Sequence, residues 1–237
     1  MPTCHSTNSH AMDMIKKGVA NNGDIIITKE QSAGRGQRGN KWISESGKNL
    51  TFSFVFTSQN VLLKNFELNM AISLGIWRAL NDFLPPKTVA IKWPNDLLVN
   101  SKKICGILIE SVTTADKSVA WVVGIGLNVN QTEFNYLNAT SMKNESTAVA
   151  FDLQNVLEKL ALCIEESLEE AYKVNVNTLK NVYLSKLFLY NKPHSFKIIA
   201  ENEYIEGKIV DIDRNGCLVI ANENKRWVFE AKEVLFL

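Results

Sequence analysis

Along LTFSFVF, residues 50–56, apolar and polar positions alternate: Leu50, Phe52, Phe54 and Phe56 fall on one face, Thr51, Ser53 and Val55 on the other. A period of two predicts a strand with one side in a core. The period lengthens at LNMAISLGIWRALNDFL, where Leu68, Ala71, Ile72, Ile76, Ala79, Leu80 and Phe83 fall at helical spacing and Pro85-Pro86 stop the helix. TVAIKW, DLLVN, ICGILIES and SVAWVVGIGLNV read as strands, with a turn at NSKK. Asp152 caps a helix running to about Val174 on a stripe of Leu153, Val156, Leu157, Leu160, Ile164 and Leu168, and another helix is expected over 178–188. Near the start, Ser6, Thr7 and Asn8 can cap a short helix ending at Gly18, and the β-branched run at 25–29 predicts a strand.

From Asn191 the texture changes. FKIIA, YIEGKIVDID, CLVIA, RWVFE and VLFL are short strands, and Asn215-Gly216 is a hairpin signal. The organisation expected is an α/β body over 1–190 followed by a small β-barrel over 191–237. No internal repeat interrupts it.

Composition narrows the field more than it decides it. With 46% hydrophobic and 22% charged residues in 237, a sizeable core can form. Lys and Arg number 26 against 25 Asp and Glu, so there is no global field for nucleic acid or membrane, and any anion site must be local. No run approaches the roughly 20 apolar residues of a membrane helix, and the N-terminus lacks a secretory pattern. Four scattered cysteines without C-x-x-C spacing argue for a reducing cytoplasm and against a disulfide frame or zinc site.

Three polar clusters carry candidate chemistry. QSAGRGQRGNKW contains GRGQRG, which satisfies G-x-G-x-x-G, but KWISESGKNL behind it has no helical period, which disfavours the dinucleotide-binding reading. Arg35 and Arg38 offer permanently charged forks for carboxylate or phosphate oxygens. An exposed basic loop is the plain alternative, and Trp42 either stacks on a base or simply packs. In IKWPNDLLVNSKKICGILIE, Pro94 makes WPND a defined turn. Asp96 is the best magnesium-ligand candidate, or else caps its own turn. Lys103 precedes an apolar strand, where it either reaches solvent or places charge over a reacting carboxylate. Gly106 within that strand suggests close approach of a ligand or backbone. In VVGIGLNVN, Gly124 and Gly126 interrupt a buried strand, and Asn128 either ends it in a turn or offers the donor and acceptor that an adenine edge needs.

STN near the start, QSAGRGQRGNKW, KWPNDLL with KKICGILIE, and GIGLNVN, in that order and spacing, resemble the biotin–protein ligase family. The likeness spans the whole body, and the terminal strands resemble that family's SH3-like barrel. It implies an α/β fold with a mixed β-sheet, related to class II aminoacyl-tRNA synthetases. It further implies activation of biotin with MgATP to biotinyl-5′-AMP, then transfer to one lysine of a biotin carboxyl carrier protein. By motif match, Ser6, Thr7, Gln31, Gly34, Arg35, Lys103 and Gly106 should line the biotin site, with Arg35 and Lys103 as the catalytic charges. Arg38, Trp42, Asn95, Asp96 and Asn128 should form the ATP side, with Asp96 near magnesium. The family's loop usually begins G-R-G-R, whereas Gln37 stands here, and Asn40 replaces a residue often basic. Looser retention of the adenylate is therefore expected. The chain begins almost at STN, which implies a ligase without a DNA-binding repressor domain, and a homodimer is left open. The rivals are a lipoate or octanoyl transferase, a family member that binds biotin without activating it, and a non-catalytic nucleic-acid-binding module. The near-neutral charge disfavours the last.

Overall fold

The computed structural model describes residues 1–57, 63, 65–84, 89–114, 118–135 and 138–237. The body opens with β1 (Thr3–Cys4), α1 (Thr7–Lys16), β2 (Ile25–Thr28) and β3 (Glu30–Gln31). It continues through β4 (Leu50–Thr57), α2 (Asn65–Phe83), β5 (Val89–Lys92), β6 (Asp96–Val99), β7 (Lys102–Thr113) and β8 (Val119–Leu127). Two helices follow, α3 (Leu153–Lys173) and α4 (Val176–Ser185). The chain closes with β9 (His194–Ile198), β10 (Glu203–Ile212), β11 (Leu218–Ala221), β12 (Arg226–Phe229) and β13 (Val234–Phe236).

Six strands form one sheet in the order β2-β4-β8-β7-β6-β5. Every ladder within it is antiparallel, and the short β1–β3 pair is parallel. One face carries α2, on which α3 and α4 pack, so that Phe52, Phe54, Ile72, Ile76, Leu80 and Leu160 share one core. The other face carries α1 over a smaller cluster of Ala11, Ile15, Ile26, Val55, Ala120 and Val122. The alternation in β4 thus sends its phenylalanines into the main core. Thr51 and Ser53 on its opposite face are also buried, and both polar residues sit beside the site described below.

The helix boundaries follow local chemistry. Ser6 caps α1, and Asp152 caps α3 by accepting from Asn155 N at 2.9 Å. α4 begins earlier than the apolar pattern suggested, because Asn175 caps it by accepting from Thr178 N at 3.0 Å. The expected stop at Pro85-Pro86 lies outside the described residues.

The five terminal strands pair in the order β12-β11-β10-β9-β13. Asn215-Gly216 turns the β10–β11 hairpin, with Gly216 at φ +87°. Among the described residues no ladder joins β12 to β13, so the order is that of an open sheet and the barrel's closure is not formed by backbone pairing. This sheet rests on the body: the Trp93 indole donates to Gly216 O at 2.9 Å, and Lys180 pairs with Asp211 at 2.9 Å.

Candidate active site

The central strands make the floor. Gly106 and Gly126 are cross-strand partners, and Gly124 pairs with Ser53. Small residues side by side leave a trough in an otherwise filled face. Its depth is used: a Cβ on Gly126 would collide with the Trp42 ring, and one on Gly124 with the Asn8 amide.

One wall comes from the start of α1 and the loop after β3. Gln31 Oε1 accepts from Thr7 N at 2.7 Å and from Thr7 Oγ1 at 3.2 Å. Ser53 Oγ lies 2.7 Å from Thr7 Oγ1 and 2.6 Å from Asn8 Oδ1, so its single proton serves one of them at a time. Asn8 Nδ2 donates to Leu108 O at 3.2 Å and to Glu110 Oε2 at 2.8 Å. Glu110 in turn holds Arg35 through a two-point fork at 2.9 and 2.8 Å. That fork uses two of the five guanidinium N–H groups and leaves three for an anion. The inner part of this network, Thr7, Asn8 and Ser53, is buried, and the two-point fork from Glu110 orients the partly exposed Arg35.

The opposite wall is the WPND turn. Asn69 Nδ2 donates to Pro94 O at 2.9 Å, and Asn95 Nδ2 donates to Ile107 O at 2.7 Å. Asp96 starts β6 opposite Gly106, and the β6–β7 register slips between Leu97 and Leu98, a bulge that re-aims the strand beside Lys103. Lys103 Nζ stands 2.7 Å from Asp96 Oδ1 and 5.8 Å from the centre of the Trp42 ring. Asp96 Oδ1 is buried and is matched by the Lys103 charge, without hydrogen-bond alignment. Trp42 Nε1 is buried without a partner.

The arginine–glycine loop is a tight hairpin. Trp42 N donates to Gly34 O at 3.0 Å, Gly36 N donates to Asn40 O at 2.7 Å, and Arg35 bridges Lys41. A Cβ on Gly34 would press into Trp42 O and into Gln31 Nε2 at 2.8 Å, which explains the glycine. No helix follows the loop, in keeping with rejection of the dinucleotide motif. The last wall is distant in sequence: Ala231, Lys232 and Val234–Phe236 close the cavity from the terminal sheet.

Together these walls enclose an open cavity of about 290 Å³. Ser6, Thr7, Gln31, Arg35, Trp42, Asn95, Asp96, Lys103 and Gly106 all line it. Gly34, Arg38 and Asn128 do not. Arg38 turns to the terminal sheet, pairing with Glu230 at 2.9 Å. Asn128 is 1% exposed and donates to Thr140 O at 3.0 Å, while its Oδ1 is buried without a partner. Cys105, beside Gly106, is fully buried, and burial pushes its thiol well above the usual range, so it is no nucleophile. Asn8, Lys41, Lys92 and Glu110 fall inside the motifs without a site role expected for them, and no motif marks Ser53 or the terminal wall as part of the site. Counting by twos from Gly106 would have found Glu110, and the polar face of β4 would have found Ser53. Lys232 carries no local signal.

A cavity of this kind, cationic, floored by glycines and set on an antiparallel sheet, defines a binding site for small anionic molecules. The chain belongs to the biotin/lipoate A/B protein ligase family, whose model matches residues 1–128. A biotin–[acetyl-CoA-carboxylase] ligase from Paracoccus denitrificans is 30% identical, over 98% of this chain and 97% of that protein. The bifunctional ligase/repressor BirA of Escherichia coli is 29% identical, over 96% of this chain and 71% of its own length. In the solved structures, a biotin protein ligase from Aquifex aeolicus in complex with biotin and ATP superposes with a TM-score of 0.80 at 25% identity, covering 100% of this chain and 97% of that one.

Proposed function

We propose that this chain is an ATP-dependent biotin–protein ligase, and that its cavity joins biotin to the α-phosphate of ATP. The observation that carries this reading is that Arg35 from the glycine loop and Asp96 and Lys103 from the β6–β7 hairpin face one cavity. A carboxylate approaching a triphosphate meets like charge, and fixed cations offset that repulsion most as charge shifts between the reactants.

Ser6, Thr7, Gln31 and Gly106 form the biotin end, Gly34 lets the loop pack against Trp42 behind it, and Arg35 and Lys103 stand over the carboxylate and the α-phosphate oxygens. A carboxylate oxygen attacks the α-phosphorus; the new O–P bond forms as the bond to the bridging oxygen breaks, and pyrophosphate leaves with that electron pair. Trp42 and Asn95 hold the nucleotide end, Asn128 is buried outside the cavity and supports its frame through Thr140, and Arg38 steadies the loop over it. In the second step the neutral amine of one carrier lysine attacks the acyl carbon. AMP departs with the bonding pair, and the amine gives up a proton. No enzyme nucleophile is needed; alignment and charge suffice.

Asp96 fits magnesium held with a nucleotide. Its carboxylate, whose buried Oδ1 is ion-paired with Lys103, would supply one ligand, and magnesium of this kind takes one or two carboxylates and keeps its waters. Among the described residues no cluster of three His, Cys, Asp or Glu forms a cage for a bound-in metal. When bound, the ion supplies charge neutralisation at the phosphates. The partner is a biotin carboxyl carrier domain, and four unpaired cysteines suit a reducing cytoplasm. Pyrophosphate release that requires biotin and ATP, and that lipoate does not support, is the expected result; release driven equally by lipoate rejects the reading.

A further inference from the structure

Five cations line the cavity: Arg35, Lys41, Lys92, Lys103 and Lys232. Glu110 holds Arg35 and Asp96 holds Lys103. Among the described residues, Lys41, Lys92 and Lys232 have no carboxylate within ion-pair reach. Two of the three mark the seam between the sheets. Lys92 pairs with Asp96 across the β5–β6 ladder, and its ammonium stands 5.1 Å from the centre of the Phe236 ring on β13. Lys232 Nζ donates to Arg38 O at 2.5 Å. An ammonium on a neutral carbonyl keeps its full charge and two further N–H donors. Lys232 adopts φ +73°, a backbone conformation uncommon for lysine, which fixes where its side chain starts.

We propose that Lys232, supplied by the terminal sheet, binds the β,γ-phosphates of ATP and the pyrophosphate that leaves, with Lys92 beside it. The inference rests on the adenylating function proposed above. The cations that face a reacting acid and α-phosphate are already matched with carboxylates. Of the unmatched ones, Lys92 lies across from Asp96 and Lys232 faces the same cavity from the terminal sheet, where a polyphosphate adds the negative charge they lack. As the bond from phosphorus to the bridging oxygen breaks, its electron pair passes to pyrophosphate, and an ammonium there stabilises it. The terminal sheet would thus be part of the nucleotide site rather than an appendage, and the Arg38–Glu230 pair would hold the loop next to Lys232.

The test uses the full chain carrying Lys232→Gln, with Lys92→Gln as a second variant. Calorimetric titration with inorganic pyrophosphate alone should show binding weakened about tenfold in either variant, as expected for loss of one charge-assisted contact. KM for ATP should rise in parallel, while KM for biotin and the rate of transfer from preformed biotinyl-5′-AMP to a carrier stay as in the wild type. Unchanged pyrophosphate affinity in Lys232→Gln overturns the proposal. So does an equal loss in adenylate transfer, which would make Lys232 a tether for the loop. If the wild-type chain binds pyrophosphate through Lys232 yet forms no adenylate, the ligase reading falls and this site stands.

Discussion

Lys103 and Arg35 have comparable charge and different supports. Arg35 is clamped from behind by Glu110, itself held by Asn8. Lys103 has its backbone fixed on both sides, donating to Asn138 O at 2.7 Å and accepting from Thr140 N at 2.8 Å, while its ammonium meets Asp96 and the Trp42 face. Its charge can therefore follow the reacting phosphate. Lys103→Ala is expected to lower the single-turnover rate of adenylate formation by about 100-fold or more, the effect of losing a transition-state charge contact. An unchanged rate would remove Lys103 from the chemistry. Gln37 and Asn40 both line the cavity beside Lys41, so an added charge there would face the bound adenylate. Gln37→Arg should slow release of biotinyl-5′-AMP in a chase experiment, and an equal or faster release would count against the loop's part in retention.

Helices and strands were largely legible in the sequence because each rests on local pattern: alternation for β4, the apolar stripe and Asp152 cap for α3, Asn215-Gly216 for the hairpin. What local pattern does not carry is a partner far along the chain. Tyr183 on α4 is an instance: it packs edge-on against Phe66, yet its hydroxyl is fully buried and unpartnered. Burial also pushes the Tyr183 phenol well above the ordinary tyrosine range. An orphaned hydroxyl costs roughly 1–3 kcal/mol, so Tyr183→Phe should raise the urea midpoint at unchanged slope, by about 1 kcal/mol in stability. A lowered midpoint would mean that the hydroxyl has a partner. The α2–α3 seam makes a pH prediction. A hydrogen bond from Arg78, 2.8 Å away, holds the Glu170 carboxyl below its usual range. A depressed folded-state pKa stabilises above the unfolded value and is lost as pH falls through the folded one. The melting-temperature gap between wild type and Glu170→Gln should therefore be positive near neutrality and close in acid. The pair is exposed, so the gap will be small; a gap that widens in acid contradicts the assignment.

The six-stranded and the five-stranded sheet meet at a site neither completes. The glycine loop, the WPND turn and the terminal wall are joined by Arg38 to Glu230, Trp93 to Gly216 and Lys92 to Phe236. The motifs in the first 130 residues were readable as words because each is contiguous. The terminal wall was not, since its cavity residues are separated from the body's motifs by about a hundred positions of helix and strand. The proposed activity is the coupling of an acid to a nucleotide, by cations converging from separate segments, for delivery to a protein. The direct measurement is intact-mass analysis of a biotin carboxyl carrier domain incubated with this chain, ATP, magnesium and biotin. One biotinyl group on one lysine, absent when ATP is omitted, is the predicted result. An unmodified carrier, or one modified in preference by lipoate, would contradict it.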